Sequence, residues 1–175
     1  MAERLFFALW PEDDQRRGFQ NVLSQLPKRH GREPHPDDIH VTLAFLGDVE
    51  PERRVCAERA AEGVRADPFS LIFDRVGYWL RPRILWCGAS ERPAPLLGLL
   101  ATLNRGLLGC GFEPDRRPFA PHVTLARKAP PIEARSVEPP IPWPVDSFAL
   151  VGSRLGVRPS YQVLRRWALI HDDSR

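Results

Sequence analysis

The five-residue word HVTLA stands at residues 40–44 and again, letter for letter, at 122–126. With about 15,000 pairs of start positions and even residue use, chance gives such a match in roughly one chain in 200. Each copy alternates polar with apolar residues, the period-two signature of a strand with one buried face. Val41 and Leu43 then point to one side while His40 and Thr42 point to the other, and Val123 and Leu125 stand against His122 and Thr124 in the same way. A chain that spells this strand twice is expected to build two similar lobes, each presenting an imidazole beside a hydroxyl.

The flanking sequence fills in the plan. RLFFALWP (4–11) reads as an apolar strand closed by Pro11, and Phe19, Val22, Leu23 and Leu26 mark an amphipathic helix ending at Pro27. IHVTLAFLG (39–47) is a strand stopped by Gly47, and PERRVCAERAAEGVRA (51–66) is a helix begun by Pro51. FSLIFDRVGYW (69–79) pairs with RILWCGA (83–89). A helix then follows on Leu96, Leu99, Leu100, Leu103 and Leu107, with Gly109 and Gly111 near its end. FAPHVTLARK (119–128) carries the second motif. Prolines 130, 131, 139, 140, 142 and 144 break the next stretch, which reads as an extended connection. DSFALVGSRL and YQVLRRWALI are two late strands. Strands in succession, mixed with three helices, give an α+β class with largely antiparallel sheet, in one bilobal domain spanning 1–175.

Charge and cysteine usage narrow the setting. The 25 Lys and Arg exceed the 22 Asp and Glu by three, too mild an excess to argue for a nucleic-acid partner. No apolar run reaches the length of a membrane span and the N-terminus lacks a signal-peptide pattern, so a cytoplasmic location is expected. Cys56, Cys87 and Cys110 form an odd set without CxxC spacing and read as buried free thiols of a reducing compartment.

The repeated polar letters carry the chemistry. If the two strands face each other across a cleft, two imidazoles and two hydroxyls surround one small polar group. Histidine titrates near pH 6.5, so one ring can hold a proton while its partner is neutral, supplying acid and base together. Threonine hydroxyls donate to anionic oxygens, and Arg127 lies three residues beyond Thr124 with Lys128 after it. In-line displacement at phosphorus uses this set, and a phosphodiester fits it best. Such a pair predicts a bell-shaped pH profile with pKa values on either side of neutrality. Other constellations are weaker. His30, His35 and His40 are evenly spaced, but Pro and Asp break the segment between them, so a metal site is not expected. There is no GxxxxGK[ST] or GxGxxG loop. His171 is expected to be exposed, and Tyr78, Trp79 and Trp86 to pack in the core, although each could stack on a base.

On these residues the chain resembles the 2H phosphoesterase superfamily, which carries two HxT motifs. Within it the chain is similar to the bacterial RNA 2′,3′-cyclic phosphodiesterases, also called LigT-like or 2′-5′ RNA ligase-like proteins. RLFFALWP, IHVTLAFLGDV, RILWCG, FAPHVTLARK and YQVLRRWAL follow that family's order along nearly the whole chain. The resemblance implies duplicated antiparallel sheets with outer helices and a central cleft. It implies hydrolysis of RNA 2′,3′-cyclic phosphate ends to 2′-phosphates, and ATP-independent, reversible 2′-5′ joining of tRNA halves. His40 would be the proton donor and His122 the proton acceptor that activates water. Thr42 and Thr124 would hold phosphate oxygens, and Arg127 would add charge. No metal, other cofactor or obligate protein partner is implied. Two other readings fit the same residues: a module that grips RNA ends without turnover, and an enzyme for a small cyclic phosphate such as an ADP-ribose derivative.

Overall fold

The computed structural model describes residues 1–27, 31–171 and 173. The order is β1 (Glu3–Leu9), α1 (Asp13–Gln25), a 3₁₀ turn (Pro36–Asp38), β2 (Val41–Val49), α2 (Pro51–Glu62), β3 (Phe69–Trp79) and β4 (Ile84–Ala89). It continues with α3 (Ala94–Gly109), β5 (His122–Arg127), β6 (Arg135–Val145), β7 (Ser147–Ser153) and β8 (Tyr161–Ala168). The strands form two antiparallel four-stranded sheets, β2-β1-β7-β8 and β5-β4-β3-β6. Each HVTLA strand is an edge strand of its own sheet, and the two edges, β2 and β5, approach each other. The lobes are not sequential halves, because β7 and β8 return from the C-terminal part of the chain to complete the sheet begun by β1 and β2.

The hydrophobic pattern explains the layering. β1 is buried on both faces. Leu5, Phe7 and Leu9 join the main core, while Phe6 and Ala8 pack with Ala149 and Val151 on the opposite face. That second face also carries Trp10, Tyr161 and Val163, and it forms the floor beneath the first motif. Val41, Leu43, Val123 and Leu125 point into the main core, as strand alternation requires. α1 starts with the Gln15 side chain accepting from the Glu12 backbone N–H, 3.1 Å away, and it packs against β6, where Gly18 brings the helix close to Ile141. α2 is tied to the first sheet by Arg54–Glu3 (2.8 Å) and Glu62–Arg165 (2.6 Å) ion pairs.

Three local readings change. Gly47 does not end β2. With φ 74° it sits where the β1–β2 register shifts, so the strand bulges and continues to Val49. The proline-rich stretch is partly a strand: in β6, Ile141, Trp143 and Val145 are buried against β3 while Pro140, Pro142 and Pro144 face outward. β6 is an edge strand, where a residue without an N–H leaves no partner unsatisfied. Of the cysteines only Cys87 is a free buried thiol. Cys56 and Cys110 form a disulfide, because α2 packs on α3 and brings the C-terminal end of α3 to the side of α2. A separation of 54 residues without a motif gave no local sign of that pairing.

Candidate active site

Asp38 is the one buried charged side chain among the described residues, and it organises the first half of the site. Its carboxylate accepts the backbone N–H groups of Ser160 (2.8 Å) and Tyr161 (3.0 Å), where β8 begins. Its backbone carbonyl lies 2.6 Å from His40 Nδ1. A carbonyl can only accept, so Nδ1 carries the proton and Nε2 is left as the reactive nitrogen. Nε2 lies 3.0 Å from Thr42 Oγ1, and with the ring neutral the hydroxyl is the donor. The ring packs 4.9 Å from Phe6, edge-on to Tyr161 at 5.3 Å, and flat on Trp10. This burial pushes the His40 pKa down to about 4. The Asp38 carbonyl opposes that shift, and the charges of Arg127 and His122 add to it. The Arg16 guanidinium donates to the carbonyls of Pro11 and Pro36 and lies 5.8 Å over the Trp10 ring, so it ties that loop to the 3₁₀ turn.

The second half repeats the device. His122 is the first residue of β5, and its Nδ1 lies 2.7 Å from the carbonyl of Ala120, again two residues back. Nε2 makes no hydrogen bond among the described residues. Trp79 stands edge-on to the ring at 4.5 Å and Trp86 lies against Trp79 at 5.4 Å. Trp86 lies over a floor of glycine: a Cβ at Gly77 would sit 2.2 Å from its ring, and one at Gly88 2.9 Å. Burial lowers the His122 pKa and the Arg127 charge adds to that, while the Ala120 carbonyl opposes it. Thr124 is half-buried on the same side of β5, and Arg127 is exposed at the end of the strand.

The two halves meet across the cleft between β2 and β5, with His122 and Arg127 both close enough to act electrostatically on His40. His40, His122 and Arg127 thereby lie within electrostatic reach of one another, Thr42 bonds His40, and Thr124 shares the face of β5 that carries His122. Trp79 and Trp86 depart from the expected core packing and lie on the cleft face beside His122, because β3 and β4 put them on the side of Gly77 and Gly88. Tyr78, one residue out of phase, packs on the core side and donates to the Ala129 carbonyl at 2.7 Å. Sequence reasoning missed Asp38, Trp10, Tyr161 and Arg16. The first motif is preceded by Asp38 and the second by Ala120 at the same offset, so comparing the two copies hides the carboxylate. Among the described residues no three His, Cys, Asp or Glu side chains converge as metal ligands. His35 caps the 3₁₀ turn by accepting from the Asp37 N–H, and His30 lies outside the described residues. His171 is exposed and bonds Asp67 at 2.5 Å.

Comparison with known proteins agrees with this geometry. The sequence matches the profile of the 2′-5′ RNA ligase superfamily over residues 9–156. It is 36% identical to the RNA 2′,3′-cyclic phosphodiesterase of Escherichia coli, over 95% of this chain and 97% of that protein. It is 32% identical to the protein of the same name from Thermus thermophilus, over 98% and 93% of the two chains. Its fold superposes on the crystal structure of E. coli LigT complexed with 3′-AMP with a TM-score of 0.89 and 32% identity, covering 98% of this chain and 100% of that one. The chain belongs to the 2′-5′ RNA ligase superfamily of two-histidine phosphoesterases.

Proposed function

We propose that the protein is an RNA 2′,3′-cyclic phosphodiesterase that opens the terminal cyclic phosphate of RNA to a 2′-phosphate. The observation that carries this reading is the pair of Nε2 atoms. Each is freed by an Nδ1 bond to the carbonyl two residues back, and each sits on its own side of one cleft. The relatives' shared name supports the substrate class.

In this reading His122 Nε2 takes a proton from water as the water oxygen attacks phosphorus. The P–O3′ bond breaks in line, and O3′ receives a proton from His40 Nε2. Thr42 and Thr124 hydroxyls and Arg127 hold the non-bridging oxygens as charge builds on them. His40 is neutral near pH 7 in the free protein, so the bound phosphodiester anion, by raising the ring's pKa, loads the acid that protonates O3′. With a ribose 5′-hydroxyl in place of water, the same transfers form a 2′-5′ linkage and free the 3′-hydroxyl, and run backwards they cleave that linkage to the cyclic phosphate. The joining of tRNA halves is the finer version of the proposal.

The test is incubation of an oligonucleotide ending in a 2′,3′-cyclic phosphate with the pure protein in EDTA. Release of a 2′-phosphate end is expected. A 3′-phosphate product rejects the direction of opening. Full turnover by either His40→Ala or His122→Ala rejects the two-histidine mechanism, whereas binding of the oligonucleotide with no turnover by the wild type leaves an RNA-end-binding module.

A further inference from the structure

At the far end of β5 the backbone knits three segments together. The N–H of Arg32 donates to the Arg127 carbonyl at 2.7 Å, and the N–H of Arg127 returns a bond to the Arg32 carbonyl at 2.9 Å. The Ala129 N–H donates to the Arg83 carbonyl at 3.2 Å, and the Arg83 guanidinium donates to the Lys128 carbonyl at 3.3 Å. Arg32, Arg83, Arg127 and Lys128 are all exposed at this corner. Arg17, Arg54, Arg117 and Arg165 elsewhere are each paired with carboxylates. The four corner cations have no such partner among the described residues, although Glu33 adjoins Arg32 in sequence. Arg83 (φ 68°) and Lys128 (φ 52°) also hold left-handed backbone, which residues with a side chain disfavour and glycine does not. Two of the cations thus stand where the backbone favours glycine, and four exposed cations share one corner of a chain whose net charge is only +3.

We propose that this corner is the track for the RNA strand leading into the cleft, with backbone phosphates 5′ of the cyclic end lying against Arg32, Arg83 and Lys128. The inference rests on the proposed function and deepens it by assigning the surface that holds the RNA strand 5′ of the cyclic end. Arg127, on the motif strand, serves the reacting phosphate. Arg32 and Arg83 stand on the two neighbouring segments and Lys128 directly follows Arg127; adjacent strands lie about 4.8 Å apart, so the row is wide enough to meet more than one phosphate.

The experiment compares a decanucleotide ending in a 2′,3′-cyclic phosphate with a mononucleoside 2′,3′-cyclic phosphate. The proteins are the wild type, Arg32→Gln, and the triple variant Arg32→Gln/Arg83→Gln/Lys128→Gln. For the decanucleotide, log kcat/KM should fall with log salt, and the triple variant should reduce that slope by up to about 2, at about 0.7 for each phosphate no longer neutralised. At low salt the triple variant should lose on the order of tenfold on the decanucleotide and Arg32→Gln a smaller part of it, while mononucleotide turnover stays within about twofold. Equal losses on both substrates, or an unchanged salt slope, overturn the track. Fluorescence anisotropy with a labelled decanucleotide ending in a 2′-phosphate reads the same slope without turnover. If neither cyclic substrate is opened but the triple variant binds this strand more weakly, the proposed activity fails and the track stands. If binding is unmoved, the track fails.

Discussion

The imidazole of His40 lies nearly parallel to the indole of Trp10, their centroids 5.7 Å apart and their planes 13° from coplanar. The indole shields one face of the ring from water, and Phe6 and Tyr161 pack against it as well. Because this apolar cover disfavours the imidazolium, the acid of the proposed reaction rests without its proton.

The pH profile follows from that. Both histidines lie below 6.5 in the free protein, so the kcat/KM bell should sit on the acid side of 6.5, not astride neutrality as the motif pair alone suggests. The two apparent values belong to the coupled pair. The kcat profile, governed by the substrate complex, should extend to higher pH, because the bound anion favours protonated His40. Trp10→Ala admits water to the ring and should move the kcat/KM bell towards neutrality. Steady-state rates from pH 4 to 9 decide it, and identical profiles for kcat and kcat/KM would contradict the anion-loaded acid.

Stability should carry the same signature. His40 titrates near 6.5 when unfolded and near 4 when folded, so between those values the unfolded chain binds more protons. The folded state is therefore favoured above pH 6.5 and loses that advantage as pH falls through about 4, a term of about 3 kcal/mol. Urea unfolding at pH 7 and pH 4.5 measures it. His40→Gln should show a shallower decline than the wild type.

The two rings should separate by leaving group. Each alanine variant is expected to lose about 10²–10⁴-fold on an RNA cyclic phosphate. A p-nitrophenyl phosphodiester expels a leaving group that needs no proton, so it should rescue His40→Ala far more than His122→Ala. Equal losses on that ester would reverse or remove the assignment.

Asp38 is expected to act through position. Asp38→Ala leaves two half-buried N–H groups without an acceptor and should destabilise the fold by about 1–3 kcal/mol. Asp38→Asn keeps part of that bonding but removes the charge that raises the His40 pKa, so the alkaline limb of the kcat/KM bell should move to lower pH. A purely structural role would lower Tm without moving the limb.

The period-two and helical patterns carried most of the fold, since burial on one face leaves a periodic trace in sequence. Val41 against Thr42, Val123 against Thr124 and the leucine stripe of α3 are read directly from it. What escaped depends on partners distant in sequence. Pro142 and Pro144 are harmless only because β6 is an edge strand. Trp86 could be assigned to a face only once Gly77 and Gly88 were known to lie beneath it. Cys56 and Cys110 meet through helix packing that neither segment encodes alone. The same holds for Asp38, whose role depends on Ser160 and Tyr161 more than 120 residues away.

The strand order also sets a timetable for synthesis. The sheet that carries His122 draws on residues 69 to 145, one unbroken stretch, whereas the sheet beside His40 joins β1 and β2 to β7 and β8. A nascent chain that has emerged only to residue 155 holds both HVTLA words, but it lacks the Tyr161 ring and the two N–H groups that grip Asp38. The ribosome must therefore deliver β8 before the first histidine is seated, and the cleft cannot be complete until nearly all of the chain has been made.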